Sequence, residues 1–227
     1  MTDKRLLKCA EYVCRGGISA DVGTDHAYLP VFLVKNGISK RAVACDIKDG
    51  PLEAAKTTVL SNGLSDKITI VKSNGLDSVV TDEITDVIIA GMGGEMISDI
   101  ISRCNYLKTN KTNLVLQPMT KPHLLRRFLC DNGFYIKNES AVSSGVFCYT
   151  VINAEYQGIK IDYDDYFLYT GKLSNKSLDD RRYLSDIAKK LKTAAIGMKN
   201  SKDKLSQSER LLQISVSIDK FLKEKEK

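Results

Sequence analysis

Short apolar runs alternate with stretches of helical periodicity through roughly the first 140 residues of this 227-residue chain. The apolar runs predict buried strands, and the periodic stretches between them predict helices. Such an alternation builds an α/β fold, in which a parallel sheet carries helices on both faces. The predicted strands are Ile18–Val22, Ala42–Cys45, Ile68–Val71, Val87–Ala90 and Leu114–Leu116. The predicted helices are Tyr28–Gly37, Pro51–Asn62, Glu95–Cys104 and Lys121–Asn132.

The alternation stops after Gly133. Phe134–Ser140 and Val146–Tyr156 both have strand character, and the short connection around Gly145 leaves no room for a helix. These two segments therefore predict an antiparallel hairpin. A parallel sheet that ends in such a hairpin is typical of Rossmann-like class I methyltransferases rather than of dinucleotide-binding dehydrogenases.

Two apolar seams characterise the last part of the chain, where apolar residues recur at alternating spacings of three and four, as in coiled coils. Ser177 is a candidate N-cap for the first helix, and the polar stretch Lys199–Asp203 is a candidate turn. We therefore predict a methyltransferase domain at residues 1–157 and a C-terminal antiparallel helical coiled coil at residues 158–227. The seams consist of Leu184, Ile187, Leu191, Ala194 and Met198, then Leu211, Ile214, Ile218 and Phe221.

The net charge of +6 is concentrated in the C-terminal segment, with +5 from residues 158–227 and +1 from residues 1–157. A basic helical segment suits a polyanionic partner. A solvated, lysine-rich helix face has the same composition, however. Charge alone leaves both interpretations open.

The six cysteines are scattered without a C-x-x-C pair, and the chain has two histidines. These counts argue against a zinc site, so we expect no bound metal. The first residues lack the apolar stretch of a signal peptide, and no run approaches the roughly 20 apolar residues that span a bilayer. We therefore expect a cytoplasmic protein without membrane contact.

The first predicted strand ends in the run Asp21-Val22-Gly23-Thr24-Asp25-His26. A glycine at a strand end lets the backbone turn sharply and approach a ligand, and open α/β sheets bind ligands outside the carboxyl ends of their strands. A carboxylate such as Asp21 suits S-adenosylmethionine, whose ammonium and sulfonium groups are cationic. The alternative is that Asp21 and Asp25 only cap the following helix.

Later strand ends add residues suited to the nucleoside half of such a cofactor. Asp46 closes the second strand 23 residues after Gly23, where a carboxylate can bind both ribose hydroxyls. Asn74, followed by Gly75, can hydrogen-bond an adenine edge. An ordinary turn residue is an equal alternative for Asn74.

Glycines also follow the fourth predicted strand, in Gly91-Met92-Gly93-Gly94. The run departs from the dinucleotide fingerprint G-x-G-x-x-G/A because Met96 stands at the last position, which argues against a nicotinamide enzyme. We interpret the run as a glycine-lined floor where methyl donor and acceptor meet. Gln117, at the end of the fifth strand, is a candidate for hydrogen-bonding a base edge, or else an ordinary residue of a strand-end turn.

These motifs, in this order, resemble those of the bacterial TrmK-type tRNA adenine-22 N1-methyltransferases. The string from Asp21 to Pro30 matches that family's first motif almost letter for letter, and Gly50-Pro51, Gly91–Gly94 and Gln117-Pro118 resemble its later motifs. The resemblance runs over residues 4–155. It implies a Rossmann-like domain that transfers a methyl group from S-adenosylmethionine to a D-loop adenine of tRNA.

The resemblance also guides the assignment of roles. N1 of neutral adenine carries an in-plane lone pair, so the site needs in-line positioning more than a strong base. We assign Asp25 to the N6 edge of the adenine, with His26 and Tyr28 packing or hydrogen-bonding nearby; a purely structural His26 is the alternative. Asn74 stands where the family commonly has an acidic residue, but it keeps an acceptor oxygen. The predicted cofactor residues are Asp21, Gly23, Thr24, Asp46, Asn74, Gly75, Gly91, Met92 and Gly93.

Contacts to tRNA are expected from basic side chains and from one amide, because RNA is recognised by shape, by phosphate contacts and through unstacked bases. Each lysine can equally be a solvated side chain. Other possible functions are methylation of another RNA or of a small molecule, and non-catalytic RNA binding. The seams can pair within the chain or with a second copy, and we favour a monomer. The candidates are Gln117, Lys121, Arg126, Arg127, Lys189 and Lys190, followed by Lys192, Lys199 and Lys202.

Overall fold

The computed structural model describes residues 3–79, 83–109, 111–199 and 201–224. Within these ranges one sheet contains the strands β1 (Gly17–Val22), β2 (Ser39–Asp46), β3 (Ile68–Lys72), β4 (Asp86–Gly93), β5 (Asn113–Thr120), β6 (Phe134–Ser144) and β7 (Phe147–Tyr156). Their order is β3-β2-β1-β4-β5-β7-β6. β7 runs antiparallel to β5 and β6, and the other neighbouring pairs are parallel. The predicted parallel sheet with a terminal hairpin is confirmed.

Helices cover both faces of this sheet and continue beyond it. They are α1 (Lys4–Glu11), α2 (Tyr28–Lys35), α3 (Asp49–Ser61), α4 (Gly94–Arg103), α5 (Tyr106–Thr109), α6 (Pro122–Asp131), α7 (Asp165–Thr170), α8 (Leu178–Met198) and α9 (Leu205–Lys223). No helix in the described ranges is both long and apolar enough to cross a membrane.

The central strand β4 is apolar on both sides because both of its faces are covered. Val87 and Ile89 belong to the cluster that includes residues of α4 and α6, whereas Ile88 belongs to the cluster that includes residues of α1 and α2. Successive side chains of a strand point to opposite faces. The continuous apolar run of this strand is therefore explained by its position in the middle of a three-layer fold.

Strands β4 and β5 both run further than predicted. Their pairing continues past Ala90 with an irregular register between Ala90 and Met92, where Gly91 has a φ of 81°. This bulge accommodates Pro118, which has no N–H to donate, within β5. The predicted ends at Ala90 and Leu116 are too early because glycine and proline ordinarily interrupt strands.

The hairpin is tighter than predicted. β6 continues through Ser144 instead of ending at Ser140, so only Gly145 and Val146 lie between the two strands. Gly145 has a φ of 60°, which glycine adopts readily in two-residue hairpin turns. The polar residues at the end of β6 lack the apolar alternation that would have marked them as a strand.

Helix α1 is absent from the predicted elements, although its signal is present in the sequence. Leu6, Cys9, Ala10 and Val13 recur at helical spacing, and Cys9 and Ala10 are buried. The Asp3 carboxylate accepts the Arg5 N–H as an N-cap. Two turns of helix contain only two apolar repeats, and so short a pattern is easily missed.

Helices α8 and α9 pack together as the predicted antiparallel coiled coil, and all nine predicted seam residues lie in one apolar cluster. The contact is wider than the predicted seam. Ala188 and Ala195 are buried as well, and the hydroxyls of Ser215 and Ser208 donate to their carbonyls at 2.9 and 2.7 Å. Small residues on both helices thus allow a close approach of the two backbones.

The start of α8 is fixed to the hairpin. Ser177 caps the helix as predicted, because its hydroxyl accepts the Asp180 N–H at 3.0 Å. The Asp180 carboxylate in turn accepts the backbone N–H groups of Ala141, at 2.8 Å, and Ser174, at 3.2 Å. The same helical turn is therefore both capped and joined to β6.

A buried ion pair also joins the sheet to the C-terminal helices. The side chains of Arg126 and Glu139 are fully buried, and Arg126 donates to Glu139 at 3.2 Å and to the Leu168 carbonyl at 2.6 Å. Glu139 also accepts the Thr150 hydroxyl and the Lys172 N–H. The prediction that Arg126 contacts tRNA phosphate is wrong, because its guanidinium is paired and has no exposed surface.

The division of the chain between residues 157 and 158 stays a prediction. Ile161, Tyr163 and Phe167 pack against the sheet core. Tyr169, which lies on the same short helix α7 as Phe167, packs against the core of the helical pair. Helix α7 therefore belongs to both apolar cores.

The Arg126–Glu139 pair predicts an asymmetric response to mutation. Glu139→Gln leaves the Arg126 charge buried without its partner, so the free energy of unfolding should fall by about 3–5 kcal/mol. Replacing both residues, as Arg126→Met with Glu139→Leu, removes both charges and should recover most of the loss. Urea denaturation measures the three variants, with Glu53→Gln of the exposed Lys56–Glu53 pair as a control that should change little. A double variant no more stable than Glu139→Gln would contradict the prediction.

Candidate active site

A cavity of about 680 Å³ opens at the carboxyl ends of the neighbouring strands β1 and β4, and helix α1 contributes part of its wall. Ligands of open α/β sheets bind at this edge. Because the two strands are adjacent, residues far apart in the sequence share one cavity. It is lined by Asp3, Arg5, Leu6, Asp21, Gly23, Thr24, Asp25, Tyr28, Leu29, Ala90 and Gly91.

Asp21 is the penultimate residue of β1 and is only 8% exposed. Burial raises the pKa of its carboxyl to about 6; the neighbouring Thr24 hydroxyl lowers this pKa and the Asp46 carboxylate raises it. No basic side chain is paired with Asp21 among the residues that the structure describes. A buried carboxylate without a cationic partner is complementary to a cationic ligand.

Gly23 makes the turn that follows Asp21. It has a φ of 76°, and a Cβ at this position would overlap Met92 Cε. The N–H groups of Gly23 and Thr24 donate to the Cys45 carbonyl at 2.8 and 2.9 Å, which ties the turn to the end of β2. The predicted residues Gly23 and Met92 thus come together, and Gly93 follows directly as the residue before α4.

Gln117 has a different role from the predicted one. Its side chain is fully buried, and its Oε1 accepts the Gly91 N–H at 3.1 Å and an Arg5 guanidinium N–H at 3.4 Å. Its Nε2 donates to the Pro118 carbonyl at 3.1 Å. The prediction of a base-edge contact is wrong, because the amide is buried and instead holds the glycine bulge of β4 in place.

Arg5 is a cavity residue that sequence reasoning missed. Its guanidinium pairs with Asp3 at 2.7 Å, lies 2.9 Å from Met119 Sδ and stands over the Tyr149 ring at 5.5 Å from the centroid. Helix α1 places both Asp3 and Arg5 at the cavity wall. The helical spacing of residues 6–13 is the signal that would have found them.

Of the three predicted catalytic residues, Asp25 and Tyr28 are exposed and line the cavity, and His26 is partly exposed. The Asp25 side chain is 82% exposed, with Oδ1 3.4 Å from His26 Nε2. The rings of His26 and Tyr28 stack with centroids 5.2 Å apart. Ala27, between them, has a φ of 52°, a left-handed conformation that costs a non-glycine residue about 1–3 kcal/mol and is common at functional sites. The strained turn presents a carboxylate and an aromatic pair to solvent.

Three further cofactor candidates lie along the same edge of the sheet, outside the cavity lining. Asp46 ends β2, and its Oδ1 accepts the Lys48 N–H at 2.8 Å. Asn74 and Gly75 follow β3; Asn74 is exposed and Gly75 has a φ of 63°. The strand order places these residues in a row that leads away from the cavity, and their roles stay predictions.

The remaining tRNA candidates are surface side chains. Lys121 is paired with Glu95 and has a φ of 52° at the start of α6, and Arg127 is exposed one turn later. The side chain of Lys202 lies outside the described residues. Among those described, no group of three or more His, Cys, Asp or Glu side chains is placed to hold a metal ion. The exposed lysines of α8 and its end are Lys189, Lys190, Lys192 and Lys199.

Comparison with known proteins agrees with this geometry. Residues 2–152 match a family model described as a methyltransferase domain. The chain is 35% identical over 170 residues to the tRNA (adenine(22)-N(1))-methyltransferase of Bacillus subtilis. This alignment covers 75% of this chain and 71% of that protein. The chain belongs to this methyltransferase family. The resemblance seen in the sequence motifs is confirmed.

Two solved structures are similar to this chain over nearly its whole length, including the C-terminal helices. A Streptococcus pneumoniae protein in complex with S-adenosyl-L-methionine is 31% identical, with a TM-score of 0.83 over 98% of this chain and 100% of that chain. M. capricolum TrmK in complex with S-adenosyl-homocysteine is 27% identical, with a TM-score of 0.81 over 97% of this chain and 99% of that chain. Members of this methyltransferase family therefore share both the sheet and the helical pair.

The raised pKa of Asp21 predicts a pH-dependent stability effect. In the folded state the pKa of this carboxyl is about 6, whereas the pKa of an unperturbed aspartate is 3.8. The contribution of the Asp21 carboxyl to the free energy of unfolding is therefore complete below about pH 4, and it is lost as the pH rises through about 6. Asparagine does not ionise, so Asp21→Asn should raise the free energy of unfolding at pH 8 by up to about 3 kcal/mol and give no gain at pH 4.

Urea denaturation at the two pH values measures this difference. Asp25→Asn is the matched control, because its 82% exposed side chain keeps its hydration on folding and should change stability little at either pH. A gain from Asp21→Asn of the same size at pH 4 and pH 8 would show that ionisation is not the cause.

Proposed function

We propose that this protein transfers the methyl group of S-adenosylmethionine to N1 of an adenine in tRNA, at position 22 of the D-loop. The observation that carries the proposal is the cavity at β1 and β4, where buried Asp21 and two glycines adjoin the exposed turn that holds Asp25 and Tyr28. The relative from Bacillus subtilis is named for this reaction. A tRNA substrate also agrees with the cytoplasmic location expected from the sequence.

The residues of the cavity fit the cofactor. S-adenosylmethionine carries two cationic centres, and Asp21 is a buried carboxylate without a basic partner in the described part of the chain. Gly23 has no Cβ that would overlap Met92, and Gly91 is exposed at the β4 bulge with open space where a Cβ would lie. Asp46, at the end of the adjacent strand, would bind the ribose hydroxyls. When bound, the cofactor supplies an electrophilic methyl group.

The protein's own task is then to orient the adenine. The N1 lone pair attacks without prior deprotonation, and a proton leaves N6 afterwards, so positioning matters more than base strength. Tyr28 offers a ring that is 53% exposed for stacking on the base. The Asp25 carboxylate can accept a hydrogen bond from N6 and stabilise the positive charge that develops. His26 supports both residues through its ring contact with Tyr28 and its proximity to Asp25.

Basic side chains offer a path for the RNA backbone from the cavity edge to the helical pair. Lys121 and Arg127 lie on or beside α6, and Lys189 and Lys190 lie on α8. Phosphate contacts of this kind give affinity without reading sequence. Because the seams of α8 and α9 are paired within one chain, we propose that the monomer is the active form.

The ribose contact gives a direct test of cofactor binding. Loss of one charge-assisted hydrogen bond costs about 1.5–3 kcal/mol, so Asp46→Ala should raise the Kd for S-adenosylmethionine by at least roughly 10-fold to 100-fold. Isothermal titration calorimetry measures it. Asp66→Ala removes an exposed carboxylate before β3 and should leave the Kd unchanged. Equal affinity in the two variants would exclude Asp46 from the site.

The reaction itself is tested with unmodified tRNA and labelled S-adenosylmethionine. The label should enter tRNA, and reverse transcriptase should stop at adenine 22. Tyr28→Leu removes the stacking surface, worth about 1–3 kcal/mol per base, and should lower kcat/KM for tRNA roughly 10-fold, whereas Tyr28→Phe should retain most of it. Label found only on protein or on small molecules would refute the proposed acceptor.

A further inference from the structure

A second cavity, of about 340 Å³, lies where the C-terminal helices meet the sheet. Its lining comes from the end of β5, the first turn of α6, strand β7 and the helices α7 and α8. Volumes of about 300–1,000 Å³ are typical of small-ligand sites. The cavity exists only because the helical segment docks on the sheet. Of the residues given roles in the proposed function above, Lys121 and Lys190 lie at this cavity, and none of its aromatic side chains has been given a role.

Four aromatic rings line this second cavity. His123 and Tyr169 stack with centroids 5.0 Å apart and an angle of 20° between their planes. Tyr149 and Tyr183 complete the aromatic lining. Tyr183 is buried, but His123, Tyr149 and Tyr169 all keep part of their surface exposed. Rings that pack only to fill a core are buried, so these partly open faces are available to a planar ligand.

The charges at the second cavity favour an anionic group on that ligand. Lys190 lines the cavity from α8, is exposed, and has no ion-pair partner among the described residues. Lys121 also lines the cavity, from the start of α6, but its ammonium group is paired with Glu95. Burial together with the nearby Arg126 and Arg127 lowers the pKa of His123, which leaves its ring neutral at pH 7. A neutral stack beside a free ammonium group suits a base and its phosphate.

One side chain lies between this cavity and the active-site cavity. Arg5 lines the active-site cavity, and its guanidinium contacts Met119 Sδ at 2.9 Å and stands over Tyr149. Met119 and Tyr149 both line the second cavity. The two cavities are therefore neighbours along one surface, so nucleotides of the same strand can occupy both.

We propose that the second cavity binds an unstacked base of the RNA substrate other than the methylated adenine, with the phosphate of that nucleotide at Lys190. Single-stranded RNA is commonly bound in this way, through bases stacked on aromatic side chains and phosphates held by cations. The inference rests on the proposed function for the identity of the substrate as tRNA. It adds a second point of recognition, which fixes the strand on both sides of Arg5.

Kinetics with unmodified tRNA test the inference. His123→Leu and Tyr169→Leu keep apolar volume but lose the flat ring, so each should raise the KM for tRNA roughly 10-fold. The kcat and the Kd for S-adenosylmethionine should stay the same. Tyr169→Phe keeps the ring and should stay within about twofold of the wild type. KM values near that of the wild type in folded leucine variants would overturn the inference.

Lys190 is exposed, so its substitution should leave the fold intact. Lys190→Ala should raise the KM for tRNA several-fold. It should also reduce the slope of tRNA affinity against salt concentration by the amount that corresponds to about one phosphate contact. Lys176→Ala, an exposed lysine outside the cavity lining, is the matched control and should change neither quantity. An identical salt dependence in the two variants would exclude the phosphate contact at Lys190.

Ultraviolet crosslinking separates failure of this inference from failure of the proposed function, because it needs no turnover. In the wild-type complex with tRNA, a crosslinked peptide that contains His123, Tyr149 or Tyr169 should carry a nucleotide other than adenine 22. Such a crosslink without any methylation of tRNA would refute the proposed reaction and support the second base site. Methylation of tRNA with no crosslink in this cavity would refute the second base site alone.

Discussion

The fully buried ion pair between Arg126 and Glu139 determines how the two apolar cores of the chain are joined. Its hydrogen bonds reach β7 through Thr150, α7 through the Leu168 carbonyl, and the segment after α7 through Lys172. A buried pair is expensive to desolvate and adds little stability over an apolar packing of the same volume. Its value here is geometric, because polar partners must meet in one arrangement and thereby fix α7 and the segment that follows it relative to the sheet.

Asp21 and Arg126 illustrate two uses of a buried charge. Arg126 is compensated on several sides, and it supports the fold. Asp21 lacks a basic partner among the described residues, and burial raises its pKa to about 6. An uncompensated carboxylate destabilises the folded protein at neutral pH, and it persists where a ligand provides the missing charge. The contrast between these two residues separates a structural charge from the binding charge that we propose at Asp21 more clearly than burial alone does.

The sequence predicted the site residues at the ends of strands better than it predicted the residues that helices contribute to the cavities. Asp21, Gly23 and Asp46 follow apolar runs whose length and spacing reflect burial on both faces of a sheet, a local signal. Arg126 was misassigned because its sequence neighbours resemble a basic surface, and its partner Glu139 is 13 residues away. Arg5 was missed because a two-turn helix has too few apolar repeats. Contacts made by tertiary packing leave no such periodic pattern, so the second cavity was invisible in the sequence.

The exposure of Asp25 is consistent with the role that we propose for it. A general base that removes a proton before attack gains strength from desolvation, yet Asp25 is 82% exposed. N1 of adenine needs no such base, so a hydrated carboxylate would be sufficient for the proposed orientation of N6. The demand then falls on holding a flexible nucleotide in line with the methyl donor. In the proposed function, the stacked rings at the first cavity and the stacked rings beyond Arg5 would meet that demand by holding the strand at two points.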